Sequence, residues 1–83
     1  MMAADEWYIY TGREVVPRHV TRVRIHESVT VIPAQAFYEN FDIEEVKCHD
    51  RVETVEEMAF DSCPSLRRVI MPGVEVVERW AFD

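Results

Sequence analysis

The chain has 83 residues and a formal net charge of −7 at pH 7, and hydrophobic residues make up 48% of it. This composition is typical of one small folded domain, and the negative charge disfavours nonspecific binding to nucleic acid or to an anionic membrane. No apolar run approaches the roughly 18 residues that span a bilayer. The opening sequence MMAADEWYIY has acidic residues where a secretory signal would be basic. We therefore expect a cytoplasmic or nuclear protein.

The N-terminal segment up to His19 differs from the remainder of the chain. Its aromatic run Trp7-Tyr8-Ile9-Tyr10 is followed by Thr11-Gly12, a turn signal, and together these predict a short strand and a turn. The first unit of a stacked array exposes one side of its core, which a segment rich in large aromatic residues can cover. We interpret residues 1–19 as an N-terminal cap-like segment.

From Val20 onward, apolar residues recur with a period of about 23 residues, which lies in the range of stacked repeat units. The first apolar triplet of each copy is Val20, Val23 and Ile25, then Ile43, Val46 and Cys48, then Leu66, Val69 and Met71. An apolar pair follows each triplet: Val29 and Ile32, Val52 and Val55, Val74 and Val77. An Ala-Phe pair closes each copy: Ala36-Phe37, Ala59-Phe60 and Ala81-Phe82. The third copy runs one residue early and is incomplete.

Each triplet alternates with charged or polar residues, as in VTRVRIH at residues 20–26. A period of two predicts a strand with one buried face. The apolar pair that follows is compatible with an irregular turn or with a short strand. Because one such unit cannot bury its apolar side alone, we expect copies to stack into a ladder of parallel strands about 4.8 Å apart.

The predicted fold is an α/β or mainly β repeat solenoid. A small α/β domain with crossover helices is the alternative, since segments of about 12 residues between strands are just long enough for it. The recurring Ala-Phe pairs argue against that alternative, because a fold without repeats has no reason to reuse them.

The period and the motifs resemble the BspA-like class of leucine-rich repeats. The most specific part is Ala59-Phe60 followed by Cys63-Pro64-Ser65-Leu66, and the resemblance covers roughly residues 20–83. It implies a short leucine-rich-repeat array that serves as a non-catalytic scaffold for protein–protein interaction, without a cofactor.

The outward residues of the predicted strands form three columns, which we call the strand face. The columns are Arg22, Glu45 and Arg68; then Arg24, Lys47 and Ile70; then His26, His49 and Pro72. The face carries a net charge of +3, which leaves −10 for the rest of the chain. We expect Arg24 and Lys47 to lie side by side with no acidic residue between them. Paired cations hold carboxylate or phosphate oxygens well, so the face is a candidate site for an acidic or phosphorylated protein partner; the alternative is a solvated basic patch without a ligand. The candidate binding residues are Arg22, Arg24, His26, Lys47, His49, Arg68 and Ile70.

A metal site or an enzyme centre built on His26 and His49 is the alternative function. Their equivalent positions place the two imidazoles on adjacent strands, where they can share a transition metal. No obvious third ligand accompanies them, and no spacing favours a catalytic triad, so we expect neither a metal nor an enzyme. Cys48 and Cys63 are interpreted as buried structural thiols.

The sequence Trp80-Ala81-Phe82-Asp83 falls midway through the third copy, without a polar capping segment after it. Solenoids need such caps to remain soluble. We therefore expect self-association through an uncapped C-terminal edge, or a chain that is a portion of a longer array and has no function of its own.

Overall fold

A computed structural model describes residues 7–78 and 81–82 and shows seven strands within them. The strands are β1 (Tyr8–Tyr10), β2 (Arg22–Ile25), β3 (Val31–Ile32), β4 (Glu45–Lys47), β5 (Thr54–Val55), β6 (Arg68–Ile70) and β7 (Val76–Val77). The described residues contain no helix. The mainly β form of the predicted solenoid is therefore confirmed, and the alternative fold with crossover helices is wrong.

The strands form two parallel sheets. One has the order β1-β2-β4-β6, and the other has the order β3-β5-β7. From β2 onward the chain therefore visits the two sheets alternately, and each coil adds one strand to each of them. The parallel ladder predicted from the triplets is the first sheet. The sequence was compatible with either a turn or a short strand at the apolar pairs. These pairs lie in or near the short strands of the second sheet.

Strand register follows the repeat, with one shift. In the first sheet Val23 lies beside Val46 and Val46 beside Val69, so both pairs join residues that are one full repeat period apart. In the second sheet Val55 lies beside Val77, which is one position short of that period. The residue missing from the third copy is therefore lost between β6 and β7.

Gly73 lies in this shortened segment. A Cβ atom added to Gly73 would lie 1.9 Å from the backbone oxygen of Asp50, which lies one repeat period earlier in the chain. The shortened loop thus packs directly against the backbone of the coil before it. Only glycine leaves room for this approach.

The core is filled by the inward residues of both sheets, and its centre is a column of aromatic rings that we call the aromatic stack. Tyr10 packs on Phe37 with ring centroids 4.9 Å apart and planes at 55°. Phe37 and Phe60 are parallel within 8° at 5.0 Å, and Phe60 and Phe82 within 9° at 4.9 Å. The Ala-Phe pairs therefore supply one ring per coil, and each ring contacts those of its neighbours.

Strand β1 confirms the strand predicted near Tyr8 and extends the first sheet beyond the repeats. Tyr10 lies beside Ile25 and is 2% exposed. The turn after β1 is closed by the carboxylate of Glu14, which accepts hydrogen bonds from the Tyr8 hydroxyl at 2.9 Å and the Thr11 hydroxyl at 2.7 Å. The backbone N–H groups of Thr11 and Arg13 also donate to it, at 3.0 and 3.2 Å.

Candidate functional site

The strand face has the predicted register. Arg24 on β2 lies beside Lys47 on β4, and both side chains are exposed. They point outward because their neighbours along the strands, Val23, Ile25 and Val46, are buried. The two cations are therefore adjacent on the surface.

In the first column of the strand face, an ion pair between two of its members compensates part of the charge. Nε of Arg22 lies 3.4 Å from Oε1 of Glu45, and the guanidinium carbon of Arg22 lies 5.6 Å from the centre of the Trp7 ring. Arg22 is thus held by an acidic and an aromatic neighbour. Among the described residues, Arg24, Lys47 and Arg68 have no such ion pair.

An open groove of about 360 Å³ lies beside the second column. It is lined by Arg24, Ile25, Glu27, Lys47, Cys48 and His49. Glu27 was not among the candidate residues, because the predicted columns end at His26. Its Oε2 lies 3.9 Å from Nη2 of Arg51. The groove therefore has two cations and a histidine on its lining, together with one carboxylate.

Most of the ring nitrogens of His26 and His49 form hydrogen bonds with nearby backbone atoms. Nδ1 of His49 accepts a hydrogen bond from the backbone N–H of Arg51 at 3.1 Å, and its Nε2 donates to the backbone oxygen of His26 at 3.0 Å. Nδ1 of His26 accepts from the backbone N–H of Ser28 at 3.0 Å. Three of the four ring nitrogens are therefore engaged locally. Within the part of the chain that the structure describes, no group of three or more histidine, cysteine or acidic residues lies close enough to hold a metal ion.

The structure adds Ile9 to the second column. Ile9 of β1 lies beside Arg24, and Ile70 of β6 lies beside Lys47. The repeat period does not indicate Ile9, because the spacing from β1 to β2 is shorter than that period. The order Tyr8-Ile9-Tyr10 could have indicated Ile9. Side chains alternate along a strand, so Ile9 lies on the opposite face of β1 from the buried Tyr10.

Both cysteines are free thiols. Cys48 is 4% exposed, as predicted, and burial raises the pKa of its thiol to about 11. Cys63 was predicted to be buried and is only half-buried. It lines a second groove with Phe41, Ser62, Pro64 and Phe82. Cys63 lies in this opening because the described residues place no further coil over it.

Two parallel ladders that stack coil by coil define a repeat solenoid. Comparison of the sequence with models of known protein families identifies the family of this solenoid. The model of the family described as "BspA type Leucine rich repeat region (6 copies)" matches residues 18–83. The chain belongs to this family, which confirms the resemblance drawn from the Ala-Phe and Cys-Pro-Ser-Leu motifs. A search of curated proteins and of solved structures gives no match. In residues 7–78 and 81–82 there is no helix with the length and apolarity needed to cross a membrane.

Proposed function

We propose that this protein is a non-catalytic interaction scaffold whose strand face binds an acidic or phosphorylated segment of a partner protein. Leucine-rich repeats often mediate protein interaction and are generally non-catalytic. The observation that supports this particular site is the adjacency of Arg24 and Lys47, both exposed and without an ion pair among the described residues.

Electrostatics favours an anionic ligand at this position. Like charges directly opposite each other on neighbouring strands are destabilising. An anion that bridges Arg24 and Lys47 removes that repulsion and accepts charge-assisted hydrogen bonds from both. A peptide anion suits the site better than nucleic acid, because the whole chain carries −7 and repels a polyanion at long range.

Charge reversal on the face tests the proposal. Partners captured by pull-down are remeasured against Arg24→Glu combined with Lys47→Glu, and against a control with the exposed residues Arg13→Glu and Arg18→Glu, which changes the net charge equally. We expect the face variant to bind at least about tenfold more weakly and the control to bind as the wild type does, and we expect added salt to weaken wild-type binding. Binding unaffected by the face variant would remove the strand face from the function.

We also propose that the chain self-associates through its C-terminal edge, formed by β6 and β7. Val77 is 54% exposed and Phe82 is 44% exposed, whereas Val55 and Phe60 at the same positions of the previous coil are at most 1% exposed. The outer sides of β6 and β7 have no neighbouring strand among the described residues. An open strand edge next to apolar side chains pairs readily with another chain.

Light scattering over a wide range of protein concentration tests self-association. We expect the average mass to rise with concentration and Val77→Lys to suppress the rise, because it places a charge on the edge. Val15→Lys is the matched control, since Val15 is 93% exposed and lies outside both strands. A monomer at every concentration contradicts this proposal and leaves the strand-face proposal unaffected.

A further inference from the structure

The exposed middle residues of the first sheet form a row across all four of its strands. In order across the sheet the row is Ile9, Arg24, Lys47 and Ile70. Ile9 is 40% exposed and Ile70 is 36% exposed. The two cations are therefore bracketed on the surface by two apolar side chains, and we call these four residues the cross-strand row.

The spacing of the row matches that of an extended peptide laid across the strands. Neighbouring strands lie about 4.8 Å apart, so the two isoleucines are separated by roughly 14 Å. An extended peptide rises about 3.4 Å per residue, and its side chains return to the same side every second residue. Residues i and i+4 of such a peptide are roughly 13.5 Å apart, and residue i+2 falls midway between them.

We propose that the cross-strand row binds an extended peptide segment with an apolar residue at i, an acidic residue at i+2 and an apolar residue at i+4. The apolar residues pack on Ile9 and Ile70, and the acidic side chain lies between Arg24 and Lys47, next to the groove that both cations line. This inference rests on the strand-face function proposed above and specifies the sequence of the ligand.

The two isoleucines contact the apolar residues of the peptide, and they also strengthen the contact of its acidic side chain with Arg24 and Lys47. Apolar side chains on either side of a carboxylate exclude water and ions, so its hydrogen bonds to the two cations are less screened. Glu27 lines the same groove as Arg24 and Lys47. Although its carboxylate also lies 3.9 Å from Nη2 of Arg51, Glu27 adds negative charge to this groove, so we expect one central acid to bind better than a polyacidic segment.

Fluorescence anisotropy with three labelled peptides tests the spacing. The first contains Leu-Ser-Glu-Ser-Leu, the second Leu-Ser-Ser-Glu-Ser-Ser-Leu, and the third Ser-Ser-Glu-Ser-Ser. We expect the first to bind at least about fivefold more tightly than either of the others. A fourth peptide with phosphoserine in place of the glutamate shows whether a doubly charged anion binds more tightly at the same position.

Variants of the row separate this inference from the broader function. Ile9→Thr and Ile70→Thr keep β-branched side chains in the strands, and thermal melting verifies that both fold. We expect each to reduce the affinity of the first peptide toward that of the third, while Arg24→Glu with Lys47→Glu weakens all of them.

If the charge reversal weakens every peptide but the spacing and the threonine variants have no effect, the cross-strand row is wrong and the strand-face function stands. If the charge reversal has no effect, or no peptide binds at millimolar concentration, the cross-strand row is wrong too. The captured partners then decide the strand-face function, through their own response to the same reversal.

Discussion

The rings at the two ends of the aromatic stack lie at the same distance from their neighbours but differ in burial. At one end Tyr10 packs on Phe37 at 4.9 Å and is 2% exposed. At the other end Phe82 packs on Phe60 at the same distance and is 44% exposed. The centroid distances are equal, although the ring planes meet at 55° at the first end and at 9° at the second. The difference in burial therefore comes from what surrounds each ring. The turn after β1 folds back and brings Val16 into the core with 4% exposure, whereas no described segment folds over Phe82.

In the second sheet, two valines at equivalent positions show the same difference in burial. Val55 and Val77 occupy paired positions of β5 and β7, yet Val55 is 0% exposed and Val77 is 54% exposed. In a stacked array each coil buries the one before it, so the burial of a position depends on the presence of its neighbours as much as on its own residue.

Truncation of equivalent rings should give the largest effect. Phe60 lies between Phe37 and Phe82, so Phe60→Ala removes contacts on both of its faces and should cost about 3–5 kcal/mol, enough to unfold a small domain. Phe82→Ala removes a half-exposed ring and should cost roughly 1–2 kcal/mol. Urea denaturation followed by circular dichroism measures both. Equal losses from the two variants would show that Phe82 at the C-terminal end is packed as well as Phe60 inside the stack, and an unchanged Phe60→Ala would overturn the repeat assignment.

Methyl substitution at equivalent loop positions should give an intermediate effect. In Gly73→Ala the new Cβ meets the backbone oxygen of Asp50, which cannot rotate away, so the last coil must shift. We expect a loss of about 1–3 kcal/mol, the usual cost of overpacking. Asp50→Ala, at the same position one coil earlier, is the control and should change stability little because Asp50 is exposed. A neutral Gly73→Ala would mean that the shortened loop moves without cost.

The coil architecture was predictable from the sequence because each coil buries apolar residues at the same positions. Val23, Val46 and Val69 keep one spacing, and one spacing of apolar residues fixes one register for the whole ladder. The same logic placed Arg24 beside Lys47. The period therefore predicted the parallel sheet and the pairing of the two cations that form the centre of the candidate site.

Features that depend on local backbone geometry were not predictable in this way. Gln35 and Met58 share a position and have φ of 60° and 58°, and Glu39 and Ser62 share another with φ of 60° and 59°. None of these residue types signals a left-handed conformation, which glycine or asparagine normally does. The stacking of coils imposes the conformation instead. The hydrogen bond from His49 to the backbone of His26 is similarly set by loop geometry.

Acid should destabilise the N-terminal end of the aromatic stack through Glu14. This loss of stability should be smaller than those expected at Phe60 and Gly73. Burial of this carboxyl opposes ionisation, but the hydrogen bonds that it accepts, chiefly from Thr11 and also from Tyr8, lower its pKa from 4.5 to about 2. A carboxyl whose pKa is lower in the folded chain than in the unfolded chain stabilises the fold above its unfolded pKa. Its contribution is therefore complete above pH 4.5 and is lost as the pH falls toward 2.

Glu14→Gln removes this contribution while keeping the size of the side chain. We expect the variant to be less stable than the wild type by about 1 kcal/mol at pH 7, in the range of hydrogen bonds to a charged group near the surface. The difference should shrink as the pH falls below 4.5 and be mostly lost at pH 2, where about half of the wild-type Glu14 carboxyl groups carry a proton. Glu53→Gln is the control, since Glu53 is exposed and its backbone lies in the coil before the C-terminal edge. Urea denaturation at several pH values measures both variants. A difference for Glu14→Gln that persists unchanged at pH 2 would show that the carboxylate does not close the turn after β1, and that Tyr10 and Val16 are held in the core by packing alone.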